Sequence, residues 1–352
     1  MKDREILRIA ITGATGLVGR VLVRRLAAAG HEVVALARNE NLLREQIAEY
    51  TAHRADALID TACCDIADGA ALAAVFASRS SANPIDVVVH AAGFVSPTAS
   101  RESIFSANVD GTQNCLQAAA QCGVRQFIFI SSLSVITGQG DCFDLDEAAP
   151  YKPSGEAYGD SKIAAEKLVV AFAELPMKTT VLRPGFIYGP GERAWLPRVI
   201  ESVASGRAVL VDGGLRLTNV VYVENLAAAV LASLLNEAAY GQVFNITDPE
   251  KVTKKQLFNA IADGLGRPHI KKRVPRWLLS SLVEIVAAAG PALPTALRQK
   301  LAFLSRAAFR LTSVNQGFST AKAERLLHYN NLIAFEVGMK RTMENFSGEG
   351  MK

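Results

Sequence analysis

The chain has 352 residues, half of them apolar and one-fifth charged, with a formal net charge of +4. At roughly 100–200 residues per domain this is one large domain or two intimate ones. The apolar half excludes a disordered chain, 26 glycines and 13 prolines exclude collagen-like and low-complexity classes, and +4 is too small by itself to argue for a nucleic-acid partner.

The N-terminus, MKDREILRIAITG, is charged and lacks the apolar run that precedes a cleavage site, so no signal peptide is expected. Arg8–Thr12 is a short apolar run ending in glycines, a buried strand. Gly16 to Ala29 follows as a helix with Leu17, Val21 and Val23 or Leu26 facing inward, and Glu32–Ala37 is the next strand. Asp86–His90, Phe127–Ile130 and Thr179–Arg183 repeat the pattern, the last after a helix from Ala157 to about Glu174. Continuous apolar strands alternating with amphipathic helices predict an α/β fold, a doubly wound parallel sheet covered on both faces. Beyond Gly185 the strands Val220–Val223 and Val243–Ile246 alternate with helices and longer connections, and the end is mostly helical. The expectation is a nucleotide-binding core over 1–185. A smaller C-terminal substrate lobe would span 186–352, with some elements returning to the core and the last six residues frayed. The cysteines, Cys63, Cys64, Cys115, Cys122 and Cys142, contain no C-x-x-C pair, and the five histidines show no ligand spacing. Reduced cysteines, a cytoplasmic setting and no metal site are expected.

The junction after the first strand reads Thr12-Gly13-Ala14-Thr15-Gly16-Leu17-Val18-Gly19. Gly13 permits a tight turn, Gly16 lets backbone approach a pyrophosphate, and Gly19 lets helix and strand pack closely. The helix N-terminus then offers free N–H groups and positive potential to phosphates. At the end of the second strand, where an acid would meet a ribose 2′-hydroxyl, stand Ala37, Arg38 and Asn39. The guanidinium fork of Arg38 suits a 2′-phosphate, so NADP(H) is expected, with NAD(H) as the alternative.

Tyr158-Gly159-Asp160-Ser161-Lys162 opens a helix, placing Tyr158 and Lys162 on one face. A free tyrosine, with a pKa of about 10, is a poor acid–base near neutrality. A neighbouring ammonium and an oxidised nicotinamide would favour its phenolate, letting it exchange a proton with a carbonyl oxygen. Ser131-Ser132, at the end of the Phe127–Ile130 strand, supplies a hydroxyl to hold that oxygen.

With these motifs together, the chain resembles the extended short-chain dehydrogenase/reductases over nearly its full length. The matching residues are TGATGLVG at 12–19, CDIAD at 64–68, HAAG at 90–93, NVDGT at 108–112, ISSLSV at 130–135, YGDSK at 158–162 and LRPGFIYGP at 182–190. The resemblance implies a Rossmann core with Ser132, Tyr158 and Lys162 as the catalytic set, Ser134 a less favoured substitute for Ser132, and Asn108 supporting the lysine. It further implies that Asp65 and Ile66 contact adenine, that Ala91, Ala92 and Gly93 line the cofactor, and that Pro184, Gly185 and Ile187 pass under the nicotinamide. The loop residues Gly13, Thr15, Gly16, Leu17, Val18 and Gly19 would hold the pyrophosphate. Ala37 departs from members that carry an acid there, in keeping with Arg38. Members are often homodimers through the helices around Glu102–Gln121 and Ala157–Leu175.

Two branches compete. Nucleotide-sugar epimerases and dehydratases often carry an arginine before the strand Val220–Val223, and here that position is Thr218. The run Val220–Ala227 is more similar to the 3β-hydroxysteroid dehydrogenase-like branch, which handles sterols and other apolar hydroxy or keto compounds. The expected activity is therefore a hydroxyl/keto oxidoreductase on an apolar small molecule. An epimerase or dehydratase with tightly bound nucleotide, or a non-catalytic NADP-binding sensor, stands as the alternative.

Charge is unevenly placed. Residues 251–310 hold twelve basic residues against Asp263 and Glu284, a net +10, which leaves −6 on the other 292. Inside this segment lies the apolar stretch Trp277–Leu297, preceded by Lys271-Lys272-Arg273. It is almost long enough to span a bilayer, but Glu284 sits near its middle and Pro291 and Pro294 break its second half. Two readings stay open: packing of Trp277, Leu278, Leu282, Ile285 and Val286 against the core, or peripheral membrane contact through 271–298 with Trp277 at headgroup level. A nucleic-acid partner is not expected.

Overall fold

Short apolar runs form the strands β1 (Arg8–Thr12), β2 (Glu32–Ala37), β3 (Ile59–Cys63), β4 (Val87–His90), β5 (Gln126–Ile130), β6 (Cys142–Leu145) and β7 (Lys178–Pro184). Later in the chain follow β8 (Phe186–Tyr188), β9 (Leu210–Val211), β10 (Val220–Tyr222), β11 (Gln242–Ile246), β12 (Arg273–Val274) and β13 (Gln316–Phe318). The computed structural model describes residues 5–349 apart from 55, 78–83, 97, 173–175, 290–305 and 331. Seven strands make one sheet in the order β3-β2-β1-β4-β5-β7-β11, with every neighbouring pair parallel. The order reverses at β1, leaving a crevice between the carboxyl ends of β1 and β4, where such sheets take ligands.

The two-residue period of a strand divides the sheet's side chains between two cores. Ile9, Ile11, Val33, Val87, Val89 and Ile128 face one side, where the helix Leu17–Ala28 brings Val21, Leu22, Val23 and Leu26. Leu17 is only half-buried, because the first turn meets the loop rather than the sheet. Ala10, Val34, Val88, Phe127 and Phe129 face the other side, against Leu72 and Phe76 of Gly69–Ala77, Leu116 of Gly111–Gln121, and Ala165 and Val169 of Ala157–Ala171.

After Gly185 the chain forms two parallel two-stranded ribbons, β8–β10 and β9–β12, pairs β13 with the earlier β6, and sends β11 back to the main sheet beside β7. The helix expected to reach Glu174 closes at Ala171, and 173–175 lie outside the described residues. The apolar stretch begins in a helix, Arg276–Ala289, and its remainder, 290–297, is likewise outside. The last helix, Phe335–Glu349, runs into the residues expected to fray, with Phe335, Met339 and Met343 buried against the body.

One charged cluster sits inside the fold. Glu166 is fully buried and accepts hydrogen bonds from Arg183 (Nη2 at 2.6 Å, Nε at 3.0 Å), from the Tyr151 hydroxyl at 3.0 Å and from Ser131 Oγ. A buried carboxylate needs every one of these partners. Arg183→Met should therefore cost about 3–5 kcal/mol of stability, read as a fall in the denaturation midpoint at unchanged slope. A loss below about 1 kcal/mol would show that the pair is dispensable.

Candidate active site

The crevice begins with the turn after β1. Gly13 has φ +70°, a conformation that favours glycine, and a Cβ there would lie 2.8 Å from Ala92 Cα. A Cβ on Gly19 would lie 2.1 Å from Gly13 O, so the helix and turn touch backbone to backbone. Gly16 is the N-cap of Leu17–Ala28 and makes no side-chain cap, which leaves the helix's first N–H groups aimed at the crevice. Thr15, Leu17 and Val18 are half-buried along the same turn. This cradle fits a dinucleotide pyrophosphate.

The strand ends expected to meet adenosine adjoin this turn. Arg38 is 70% exposed beyond β2, with Nη1 4.0 Å from Asp65 Oδ2. Cys64 N donates to Ala37 O, and Asn114 Nδ2 donates to Ile66 O and Ala67 O, each at 3.0 Å, so the Asp65–Ile66 loop is pinned beside Arg38. Ala91, Ala92 and Gly93 follow β4, across from the glycine turn.

The reactive groups converge at the ends of β4 and β5. Tyr158 and Ser132 stand side by side, and Ser132 Oγ accepts from Ser134 N at 3.1 Å. Burial pushes the Tyr158 phenol above its ordinary pKa, and the neighbouring Ser132 hydroxyl pulls the other way. The expected depression by Lys162 is absent, because that ammonium is engaged elsewhere: Nζ donates to Ile130 O at 2.9 Å and sits over the Phe129 ring at 4.7 Å. Burial lowers Lys162 to about 8, with Glu166 opposing the shift. Asn108 lies in a single π-helical turn, Ser106–Asp110. It does not meet Lys162 by hydrogen bond among the described residues; its Nδ2 donates to Phe94 O (3.0 Å) and Ser161 Oγ (2.9 Å), and its Oδ1 accepts from Phe94 N (2.6 Å). Asn108 and Lys162 flank Gly93, where a Cβ would stand 3.7 Å from Asn108 Oδ1 and 3.3 Å from Lys162 Nζ.

The paired serines divide their work. Ser131 turns inward to Glu166, while Ser132 turns to Tyr158. Ser134 buries its Oγ without a hydrogen-bond partner and is not presented to the crevice. Pro184, Gly185 and Ile187 border this end: Leu133 N donates to Pro184 O, Phe186 N to Asn219 O, and the Trp195 indole to Ile187 O.

Several residues around the crevice were assigned no role from the sequence. His90 is fully buried, with Nδ1 2.7 Å from Thr12 Oγ1 and Nε2 3.1 Å from Thr112 Oγ1, while Thr112 Oγ1 donates to Asn108 O. Ala92 N also donates to Thr12 Oγ1. This chain of bonds ties the ends of β1 and β4 to the turn holding Asn108. From the far end of the chain, Arg310 of the helix Arg306–Ser313 pairs with Glu156, the N-cap of the helix that carries Tyr158. Asp141 accepts from Arg276 (2.8 Å), Arg216 (3.3 Å) and Asn315 N (2.7 Å).

Residues 9–247 match the model of the NAD dependent epimerase/dehydratase family. The chain is 31% identical over 276 residues to a 3beta-hydroxysteroid-dehydrogenase/decarboxylase of Arabidopsis thaliana, covering 74% of this chain and 62% of that enzyme. It is 28% identical over 348 residues to the 2-alkyl-3-oxoalkanoate reductase of Shewanella oneidensis, covering 94% and 84%. Among solved structures, the UDP-glucose 4-epimerase of Thermotoga maritima superposes with a TM-score of 0.73 at 21% identity, covering 98% of this chain and all of that one. That likeness speaks to the fold.

Burial lowers the pKa of His90 to about 3, with Lys162 adding to the effect. Below about pH 6.5 the unfolded chain takes up a proton that folded His90 does not, so stability falls as pH drops toward 3. His90→Leu should lower stability near neutrality by about 1–3 kcal/mol through the lost hydrogen bonds, and flatten this part of the profile. An imidazole NMR signal for His90 that titrates near 6.5 would contradict the assignment.

Proposed function

The chain belongs to the NAD dependent epimerase/dehydratase family and is an NAD(P)-dependent oxidoreductase; on that premise we propose that it interconverts a hydroxyl and a keto group on an apolar substrate, using NADP(H). The adjacent Ser132 and Tyr158 side chains, with Lys162 Nζ beside Gly93 at the glycine crevice, carry this reading.

Gly13 to Gly19 would hold the cofactor's pyrophosphate, Asp65 and Ile66 its adenine, Ala91 to Gly93 its middle, and Pro184, Gly185 and Ile187 the nicotinamide end. The exposed guanidinium of Arg38 would take the 2′-phosphate. When bound, the cofactor gives or takes the hydride. Ser132 Oγ holds the substrate oxygen. In reduction Tyr158 passes its phenolic proton to that oxygen, and in oxidation it receives the proton of the hydroxyl. Lys162 would hold the ribose of the bound nucleotide.

Substrate class is argued at the other end of the crevice. Thr218, at the position where nucleotide-sugar members often place an arginine, is 6% exposed, and its Oγ1 has no hydrogen-bond partner. The neighbouring Arg216 is held by Asp141 and Asp212. A pyrophosphate would find no uncommitted guanidinium at these two positions. The names of the Arabidopsis and Shewanella relatives describe hydroxyl or keto chemistry on largely apolar skeletons.

A screen of apolar ketones and alcohols with NADPH, NADP, NADH and NAD, read at the nicotinamide absorbance, tests the proposal. Co-purified, near-stoichiometric nucleotide with no net redox change would instead favour an epimerase or dehydratase. Tyr158→Phe should lower turnover by about 10²–10⁴-fold while nucleotide binding survives. Arg38→Ala should weaken NADPH far more than NADH; equal effects would remove the 2′-phosphate role. Because Tyr158 sits above its ordinary pKa, it holds its proton through the neutral range. Reduction should thus proceed without a deprotonation step, while oxidation accelerates as pH rises toward 10. An oxidation rate flat from pH 6 to about 10 would contradict Tyr158 as the base.

A further inference from the structure

The helix Arg276–Ala289 leaves much of its apolar surface in water. Trp277 is 69% exposed and Ile285 63%, with Leu278 and Leu282 exposed beside them. At 100° per residue these four share one face, joined by Ser281 and Ala288, while Val283 points inward and is buried. Glu284, the helix's sole acid, lies at the margin of that face. The expectation that Trp277, Leu278, Leu282 and Ile285 pack against the core is thus not met. Packing is done by the opposite face, which meets the helix Arg306–Ser313.

Apart from Glu284 at its margin, the charges on the approach to this face are basic. Lys271, Lys272 and Arg273 lead directly into the helix and are all exposed, and Arg267 is exposed just upstream. Arg276, by contrast, is held inward by Asp141 at 2.8 Å. An apolar strip with a tryptophan at its start and cations along its approach matches an interface with acyl chains below and anionic headgroups above. Among the described residues no helix is long and apolar enough to cross a membrane, so contact here would be in the interface plane.

We propose that this face seats the protein on a membrane surface carrying anionic lipid. The surface is coupled to the site: Arg276 at its start is tied to Asp141, and the helix behind it carries Arg310, the partner of Glu156. Seating here would hold the substrate lobe against the phase in which an apolar substrate partitions, a purpose that rests on the oxidoreductase reading, although the surface argument does not.

The test is sedimentation of the full chain with vesicles of phosphatidylcholine alone and of phosphatidylcholine containing about one-third phosphatidylglycerol. Binding is expected to the anionic vesicles, much less to the neutral ones, and to fall with added salt. The chain has two tryptophans, so Trp195→Phe leaves Trp277 as the reporter, and its emission should shift to the blue on binding. Lys271→Glu with Lys272→Glu, and separately Ile285→Ser, should each cut bound protein at least about tenfold. Protein wholly in the supernatant at low salt would overturn the proposal, as would sedimentation with Trp277 emission unchanged. A dimer in gel filtration that Ile285→Ser dissociates would assign the face to a second copy instead. Cofactor-dependent turnover of a water-soluble ketone, followed in parallel without vesicles, separates the two readings. Turnover without vesicle binding sinks the membrane surface alone; binding with no turnover of any ketone or alcohol sinks the oxidoreductase reading alone.

Discussion

A carboxylate with no access to water organises the active site. Glu166 lies on the same helix as Tyr158 and Lys162, and its bonds to Arg183, Tyr151 and Ser131 fasten that helix to the ends of β5 and β7. Burying the charge carries a large desolvation penalty that only complete pairing offsets. Because Ser131 is consumed by that pairing, the alternation of a strand sends Ser132 the other way, toward Tyr158. Which of the two serines is left beside Tyr158 thus follows from electrostatics one residue away.

The core of the fold was legible because its physics is local. A strand buried on both faces must be apolar throughout, and β1, β2, β4 and β5 read that way. The strand β3, Ile59–Cys63, escaped because it is an edge: Asp60 and Thr61 interrupt its apolar run, and Asp60 meets Arg8 at 2.5 Å. Edge strands are half-solvated, so the rule that exposes their neighbours does not apply to them. The ribbons β6–β13 and β9–β12 join residues more than sixty apart in strands of two to four, too short to leave a periodic pattern.

The site divides similarly. The glycine turn, Tyr158 and Lys162 stand at spacings fixed by a turn or a helix, and sequence alone placed them in one crevice. His90, Glu166 and Arg310 act through partners 15 to about 150 residues away, so their roles depend on contacts that local spacing does not fix. The phenol of Tyr158 is expected to be lowered by the ammonium together with a bound oxidised nicotinamide; in the folded chain alone, Lys162 is drawn to Ile130 O and the Phe129 ring, and burial raises the phenol.

The contact between Arg310 and Glu156 has a consequence for how the protein is made. The helix bearing Tyr158 has no side-chain cap of its own; Arg101 holds Asp160 of its first turn at 3.0 Å, and its N-cap Glu156 gains a partner from a segment about 150 residues downstream. At about 5–20 residues per second, that segment leaves the ribosome roughly 8–30 s after the tyrosine. Throughout that interval the nascent chain can assemble its central strands while the entrance to the crevice is unfinished. That end of the molecule is among the last parts to be completed, so a chain broken off before the helix Arg306–Ser313 would keep the Glu166 and Arg101 anchors of the Tyr158 helix and lack the one at Glu156.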